Sequence, residues 1–167
     1  MKNKKTLYLT QAAMIAALYV LLTYLANLLG LASQAIQVRF SEALTILPFF
    51  TPAAIPGLTI GCLLSNILTG AILPDIIFGS LATLLGALGT WALRPTKVKW
   101  LAPIPPIAAN TLIVPFILAY GYQFPGAIWY FMLTVGAGEV ISCGVLGLLL
   151  AIPLEKHKHI FQTNFQE

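Results

Sequence analysis

Charge is what this sequence has least of: nine Lys or Arg and five Asp or Glu among 167 residues. A soluble domain draws about a quarter of its residues from these types. With 59% hydrophobic residues, the chain has too little polar surface to cover a water-soluble globule. Cysteine and histidine are equally scarce. Cys62 and Cys143 lie inside apolar runs, far from any metal spacing, which argues against a disulfide framework or zinc site and leaves them as small buried hydrophobes. His157 and His159 sit in a lysine-bearing tail. There is no His-Glu-x-x-His, no Gly-x-Ser-x-Gly elbow and no phosphate-binding Gly-rich loop ending in Lys-Ser or Lys-Thr. The chain reads as no enzyme, and as unable to hydrolyse ATP by itself.

What is present is apolar length. A helix needs roughly 20 residues to cross about 30 Å of hydrocarbon, and four runs satisfy that directly: 7–29, 74–93, 101–120 and 128–154. The stretch 42–71 is also apolar but is broken by Pro48, Pro52 and Pro56, followed by Gly57. It is one kinked span or two short ones. Lys and Arg beside short loops stay on the cytoplasmic side. Six spans with the N-terminus inside place every basic residue except Arg39 in the cytoplasm, whereas five spans would export Arg94, Lys97, Lys99 and the C-terminal pair Lys156 and Lys158. The expectation is therefore an all-α integral membrane protein, a single domain over 1–167. It forms a bundle of six transmembrane helices near 7–29, 42–55, 56–71, 74–93, 101–120 and 128–154, with both termini cytoplasmic. The second span, about 14 residues or roughly 21 Å, is too short to cross upright, so its polar end must rest on protein or an aqueous pocket. Lys2, Lys4 and Lys5 before an apolar run, with Ala32-Ser33-Gln34-Ala35 after it, resemble a secretory signal. The run exceeds the roughly 7–15 residues of a signal core, however, and reads as a retained span.

Helices in lipid associate through close packing, so small residues four apart carry weight. Ala12 and Ala16 share one face of the first span, as do Ala13 and Ala17; these faces suit internal packing or docking to another membrane subunit. Gly57, Gly61, Ser65 and Thr69 form a ridge on the third, best read as internal packing.

Polar residues inside an apolar bundle are costly and mark function. Gln37, Arg39, Ser41 and Glu42 precede or open the second span, Ser65 and Asn66 lie late in the third, and Asp75 heads the fourth. Asn110 is near the middle of the fifth, Tyr120, Tyr122, Gln123 and Trp129 surround the loop after it, and Glu139 is inside the sixth. Drawn from several spans yet concentrated in the outer half, they describe a ligand pocket opening outward. Simpler roles compete. Arg39 and Glu42 could pair and cap the second span, Ser41 could be its N-cap, and Asp75 could stabilise the N-terminal end of the fourth. Asn66 and Asn110 could be interhelical hydrogen bonds. Glu139 has no Lys or Arg in its own span until the far end, so its charge needs Arg39, a ligand or a proton.

The run Gln37-Val38-Arg39-Phe40-Ser41-Glu42-Ala43-Leu44, continuing through Leu47-Pro48-Phe49 and Pro56-Gly57-Leu58 to Asn66, resembles the QueT-type queuosine-precursor transporters. So do 75–84, Pro103 to Asn110, and Gly138-Glu139. The resemblance covers nearly all the spans in order. It implies the substrate-binding (S) component of an energy-coupling factor (ECF) importer, a six-helix bundle with an outward-side site in the cell membrane. The implied partners are a transmembrane coupling subunit and two cytoplasmic ATPases, so ATP is used by the partners and no cofactor is expected in this chain. It further implies that an Ala-x-x-x-Ala face on the first helix, Ala12/Ala16 or Ala13/Ala17, meets the coupling subunit, and that the S component tips in the membrane to deliver its load. The implied cargo is a 7-deazaguanine base, namely the aminomethyl or cyano precursor of queuosine or queuine. Glu139 would take the base's N–H donors, with Asn66, Asn110, Gln37 or Arg39 at its carbonyl, Trp129 or Tyr122 stacked on the ring, and Asp75 or Glu42 facing an aminomethyl cation. An S component for another vitamin and a stand-alone transporter or scaffold remain alternatives.

Overall fold

The computed structural model describes residues 4–31 and 37–156, and no strand occurs among them. The segment Ala32-Ser33-Gln34-Ala35, Lys2, Lys158 and both histidines lie outside the described residues. Six helices follow one another: α1 (Lys4–Leu28), α2 (Phe40–Phe49), α3 (Ala54–Leu68), α4 (Asp75–Thr96), α5 (Lys99–Gly121) and α6 (Ile128–Lys156). Of these, α1, α4, α5 and α6 are long and apolar enough to cross a membrane, and α2 and α3 are shorter.

The prolines explain the short pair. Pro48 lies inside α2, and Thr45 turns its hydroxyl onto the Glu42 carbonyl at 2.6 Å. Both compete with regular α winding, and α2 is a 3-10 helix throughout. At about 2.0 Å per residue its length is about 20 Å, close to the expected span although it stops earlier, at Phe49. The chain turns through 50–53, where Phe50 and Thr51 N–H groups both return to the Leu47 carbonyl. Pro56 then falls in the first turn of α3, where its missing N–H has no partner to lose.

Helix α2 occupies the centre, packed by α1, α4 and α6, with Ser41, Glu42 and nearly every later residue buried. Ile15, Tyr19, Leu44, Leu47 and Leu58 form the main core around it. The outer faces are apolar as well: Leu21, Phe78, Leu112 and Leu149 are all exposed, as lipid-facing residues would be.

Close helix approach falls where glycine permits it. A Cβ at Gly57 would come 2.8 Å from the Ala12 carbonyl oxygen, and one at Gly61 would come 2.7 Å from the Tyr19 Cβ. The third-span ridge is thus seated on α1, and it takes Ala12 and Ala16 with it. Those two alanines are buried against α3, whereas Ala13 and Ala17, about 100° further round α1, are exposed.

Candidate functional site

Three of the helices change winding, two of them at the same end of the bundle and α6 midway along its length. Helix α4 opens with a π turn over Asp75–Gly79, α5 closes with one over Ile117–Gly121, and α6 widens over Val140–Leu146 directly after Glu139. Such turns are rare and re-aim side chains. The turns of α4 and α5 border a cavity of about 380 Å³ whose polar lining includes Gln37, Arg39, Asn66, Asp75 and Tyr122. That size is within the ~300–1,000 Å³ of small-molecule sites.

The cavity wall is organised around Asp75. Tyr122 donates its hydroxyl to Asp75 Oδ2 at 2.9 Å, and Asn66 donates its amide to the Asp75 carbonyl at 3.2 Å. Gly79 leaves room for both, since a Cβ there would lie 2.9 Å from Asp75 Oδ1 and 3.2 Å from Asn66 Nδ2. Asp75 is therefore more than a helix-end charge. Burial, and then the Asp75 carboxylate, push the Tyr122 phenol above its ordinary range, so it keeps its proton and donates. Burial is the largest influence on Arg39 and opposes its charge, but Asp75, Tyr19, Glu42 and Cys62 together outweigh it and raise the guanidinium further above its already high range. The guanidinium reaches Gln37 Oε1 at 3.5 Å, and no ion pair forms between Arg39 and Glu42 among the described residues. Nor does Ser41 cap α2: it is buried within the helix, its Oγ 2.8 Å from Thr23 Oγ1.

A second group lies in the interior. Glu42 from α2 and Glu139 and Cys143 from α6 are buried, with ligand atoms all within 4.8 Å of one another. Cys143 donates its thiol to Glu139 Oε2 at 3.0 Å and lies 3.9 Å from Glu42 Oε2. Tyr19 of α1 donates its hydroxyl to Glu42, and the buried Asn110 side chain of α5 interacts with both carboxylates. Four helices thus converge on two carboxylates that sequence separates by nearly a hundred positions. These donors engage part of the acceptor capacity of the pair. Two buried carboxylates also call for positive charge or further N–H donors, which a cation or a donor-rich ligand edge would supply.

The extended segment at Gln37 ties the two groups together. It crosses α6 at Gly138, where a Cβ would come 2.2 Å from the Gln37 carbonyl oxygen, and the Arg39 N–H donates to Ser142 Oγ at 3.2 Å. Only glycine allows that crossing, so Gly138 lets the chain lie beside Glu139.

Of the residues expected from sequence, Gln37, Arg39, Asn66, Asp75 and Tyr122 meet at the cavity, and Glu42, Glu139 and Asn110 meet in the interior. Trp129 joins neither group. It is 66% exposed and packs its ring edge against Tyr130, whereas Tyr122 and Phe124, with ring centroids 5.6 Å apart, line the cavity. Sequence reasoning missed Tyr19, Thr23 and Asn27. Their spacing of four is a polar stripe on one face of α1, and Thr23 and Asn27 line the cavity. It also missed Cys143, one turn beyond Glu139 and expected to be filler.

The QueT transporter family profile matches residues 9–156, which takes in all of the cavity and the interior cluster. This chain belongs to the QueT transporter family. A similar protein, "Queuosine precursor transporter QueT" of Lactococcus lactis subsp. cremoris (strain MG1363), is 41% identical over 85 residues. That match covers 51% of this chain and 50% of the relative, so it spans half of the relative's length. No solved structure matches the chain. In this QueT family member, the two polar groups are carried by long and short apolar helices alike.

Proposed function

We propose that the chain is the S component of an ECF importer, binding a queuosine precursor from outside the cell membrane and delivering it inward with partner subunits that hydrolyse ATP. The observation that carries this reading is the pairing of an open polar cavity at Arg39, Asn66 and Asp75 with the buried carboxylates of Glu42 and Glu139. A 7-deazaguanine base has a flat ring, adjacent N–H donors and a carbonyl. Glu139 accepts the donors, with Asn110 holding the carboxylate in place; Arg39 or Gln37 donates to the carbonyl; Tyr122 and Phe124 face the ring. An aminomethyl group finds its counter-charge at Asp75. Family membership and the name of the similar protein support the cargo class.

The proposed topology has six spans with both ends of the chain inside. Helix α4 runs about 30 Å from Asp75 to Arg94, so the cavity and the basic loop at Arg94, Lys97 and Lys99 lie at opposite ends of the bundle. Lysine and arginine retention makes the loop cytoplasmic and the cavity external. The exposed face of α1 at Ala13 and Ala17 is the docking surface for the coupling subunit, with Ala12 and Ala16 holding α1 close to α3.

Equilibrium binding of the purified chain to queuine and to the aminomethyl and cyano precursors tests the reading, with biotin, riboflavin and guanine as controls. Submicromolar binding to a deazaguanine alone supports it. Binding only to a control vitamin would retain the architecture and replace the cargo, and uptake by the chain alone in vesicles would remove the ATPase partners.

A further inference from the structure

A second concavity, of about 630 Å³, lies at the opposite end from the polar cavity, between α6 and the start of α5. Val140, Gly144, Leu148 and Ile152 line it at intervals of four and so share one face of α6. A Cβ at Gly144 would meet nothing closer than Val140 at 3.8 Å and Ile107 at 4.0 Å, so the groove is open at its middle. Val140 to Ile152 spans about 18 Å of helix, close to the roughly 15 Å that one leaflet occupies in a 30 Å hydrocarbon core.

The groove is polar only at its end. Lys99 and Glu155 form an ion pair there, and Trp100 stands beside them with 75% of its surface exposed. Around that mouth the sequence supplies Arg94, Lys97, Lys99 and Lys156 against the single acid Glu155. We infer that this groove is a binding site for an anionic phospholipid, with an acyl chain along α6 and the headgroup at the basic mouth beside Trp100. Three features coincide in it: an apolar channel one leaflet long, a positive surplus at one end, and an indole at the depth where interfacial tryptophans sit. A protein partner would not require that division between an apolar length and a basic end. The inference does not depend on cargo identity, because none of its residues belongs to the polar cavity.

The test uses the full chain with Trp91→Phe and Trp129→Phe, leaving Trp100 as the reporter, in phosphatidylcholine vesicles containing brominated phosphatidylglycerol or brominated phosphatidylcholine. Quenching of Trp100 should give a relative binding constant about fivefold or more in favour of phosphatidylglycerol, equivalent to one well-placed basic contact. Gly144→Leu, which fills the groove, should bring that ratio to about one, and Val145→Glu serves the same purpose if Gly144→Leu does not fold. Equal quenching by both lipids would overturn the inference, as would a preference that survives filling. An equal preference with Trp129 as the only reporter would assign the effect to diffuse attraction. Protection of Trp100 from both lipids would place a second copy of the chain in the groove instead.

Discussion

At the scale of single residues, the interior cluster is defined by how few alternatives each side chain has. Glu139 is buried, accepts from Cys143 at 3.0 Å and faces a second carboxylate. If it receives cargo N–H groups, Glu139→Gln should weaken cargo binding by more than about 1.5 kcal/mol, roughly tenfold in Kd. Titration calorimetry showing unchanged affinity would remove it from the site. Asp75 carries a different expectation, because its carboxylate faces an open cavity and already holds Tyr122. Asp75→Asn should weaken the aminomethyl precursor by about 1.5–3 kcal/mol more than the cyano precursor, since only the former has a positive charge to lose. Equal losses for the two cargoes would deny Asp75 that role. Tyr19 is structural first. Removing its hydroxyl in Tyr19→Phe strips a donor from a buried carboxylate, and unfolding in detergent should register a loss of about 1–3 kcal/mol.

At the scale of elements, contact distances at glycine separate two kinds of helix crossing. Gly61 admits Tyr19 where α1 and α3 meet, so Gly61→Val should push the helices apart and destabilise the chain by about 1–3 kcal/mol. Gly138 admits the segment at Gln37, only 2.2 Å from where a Cβ would sit. Gly138→Ala should displace Gln37 and Arg39 from the cavity, and cargo affinity should fall more than thermal stability does; the reverse order would make Gly138 a packing residue only. The helices themselves were largely legible: α1, α4, α5 and α6 follow the long apolar runs. Helix α2 was legible as short but not as 3-10, because its winding depends on Pro48, on Thr45 bonding back to Glu42, and on α1, α4 and α6 closing around it. The π turns were not legible at all, since no local propensity in Ile117–Gly121 or Val140–Leu146 distinguishes them from ordinary helix.

At the scale of the whole molecule, the bundle has two unlike ends and an α1 with two unlike faces. The proposed orientation predicts that a cysteine placed at Gln123 reacts with an impermeant maleimide in intact cells, whereas one at Thr96 reacts only after permeabilisation. The native Cys62 and Cys143 are buried and give little background. Labelling of both positions from outside would rule out the six-span arrangement. The two faces of α1 make a further separation possible. Ala17→Trp lies on the exposed face, so cargo affinity should stay within about twofold while co-purification with the coupling module is lost. Retained co-purification would move the docking surface elsewhere.

The sequence alone determined that the chain is helical and apolar, how its basic residues are distributed between the loops, and which polar residues are too costly to be incidental. These follow from composition and period, which are local properties. Only the tertiary structure decided that Ala12 and Ala16 turn inward while Ala13 and Ala17 do not, because the sequence shows small residues on both faces but not which face Gly57 and Gly61 meet. It also decided that Glu42 and Glu139 share one buried site with Tyr19 and Cys143, and that Trp129 stands apart from it. Those outcomes depend on how the helices are rotated and spaced against one another, which long-range packing sets and no single segment encodes.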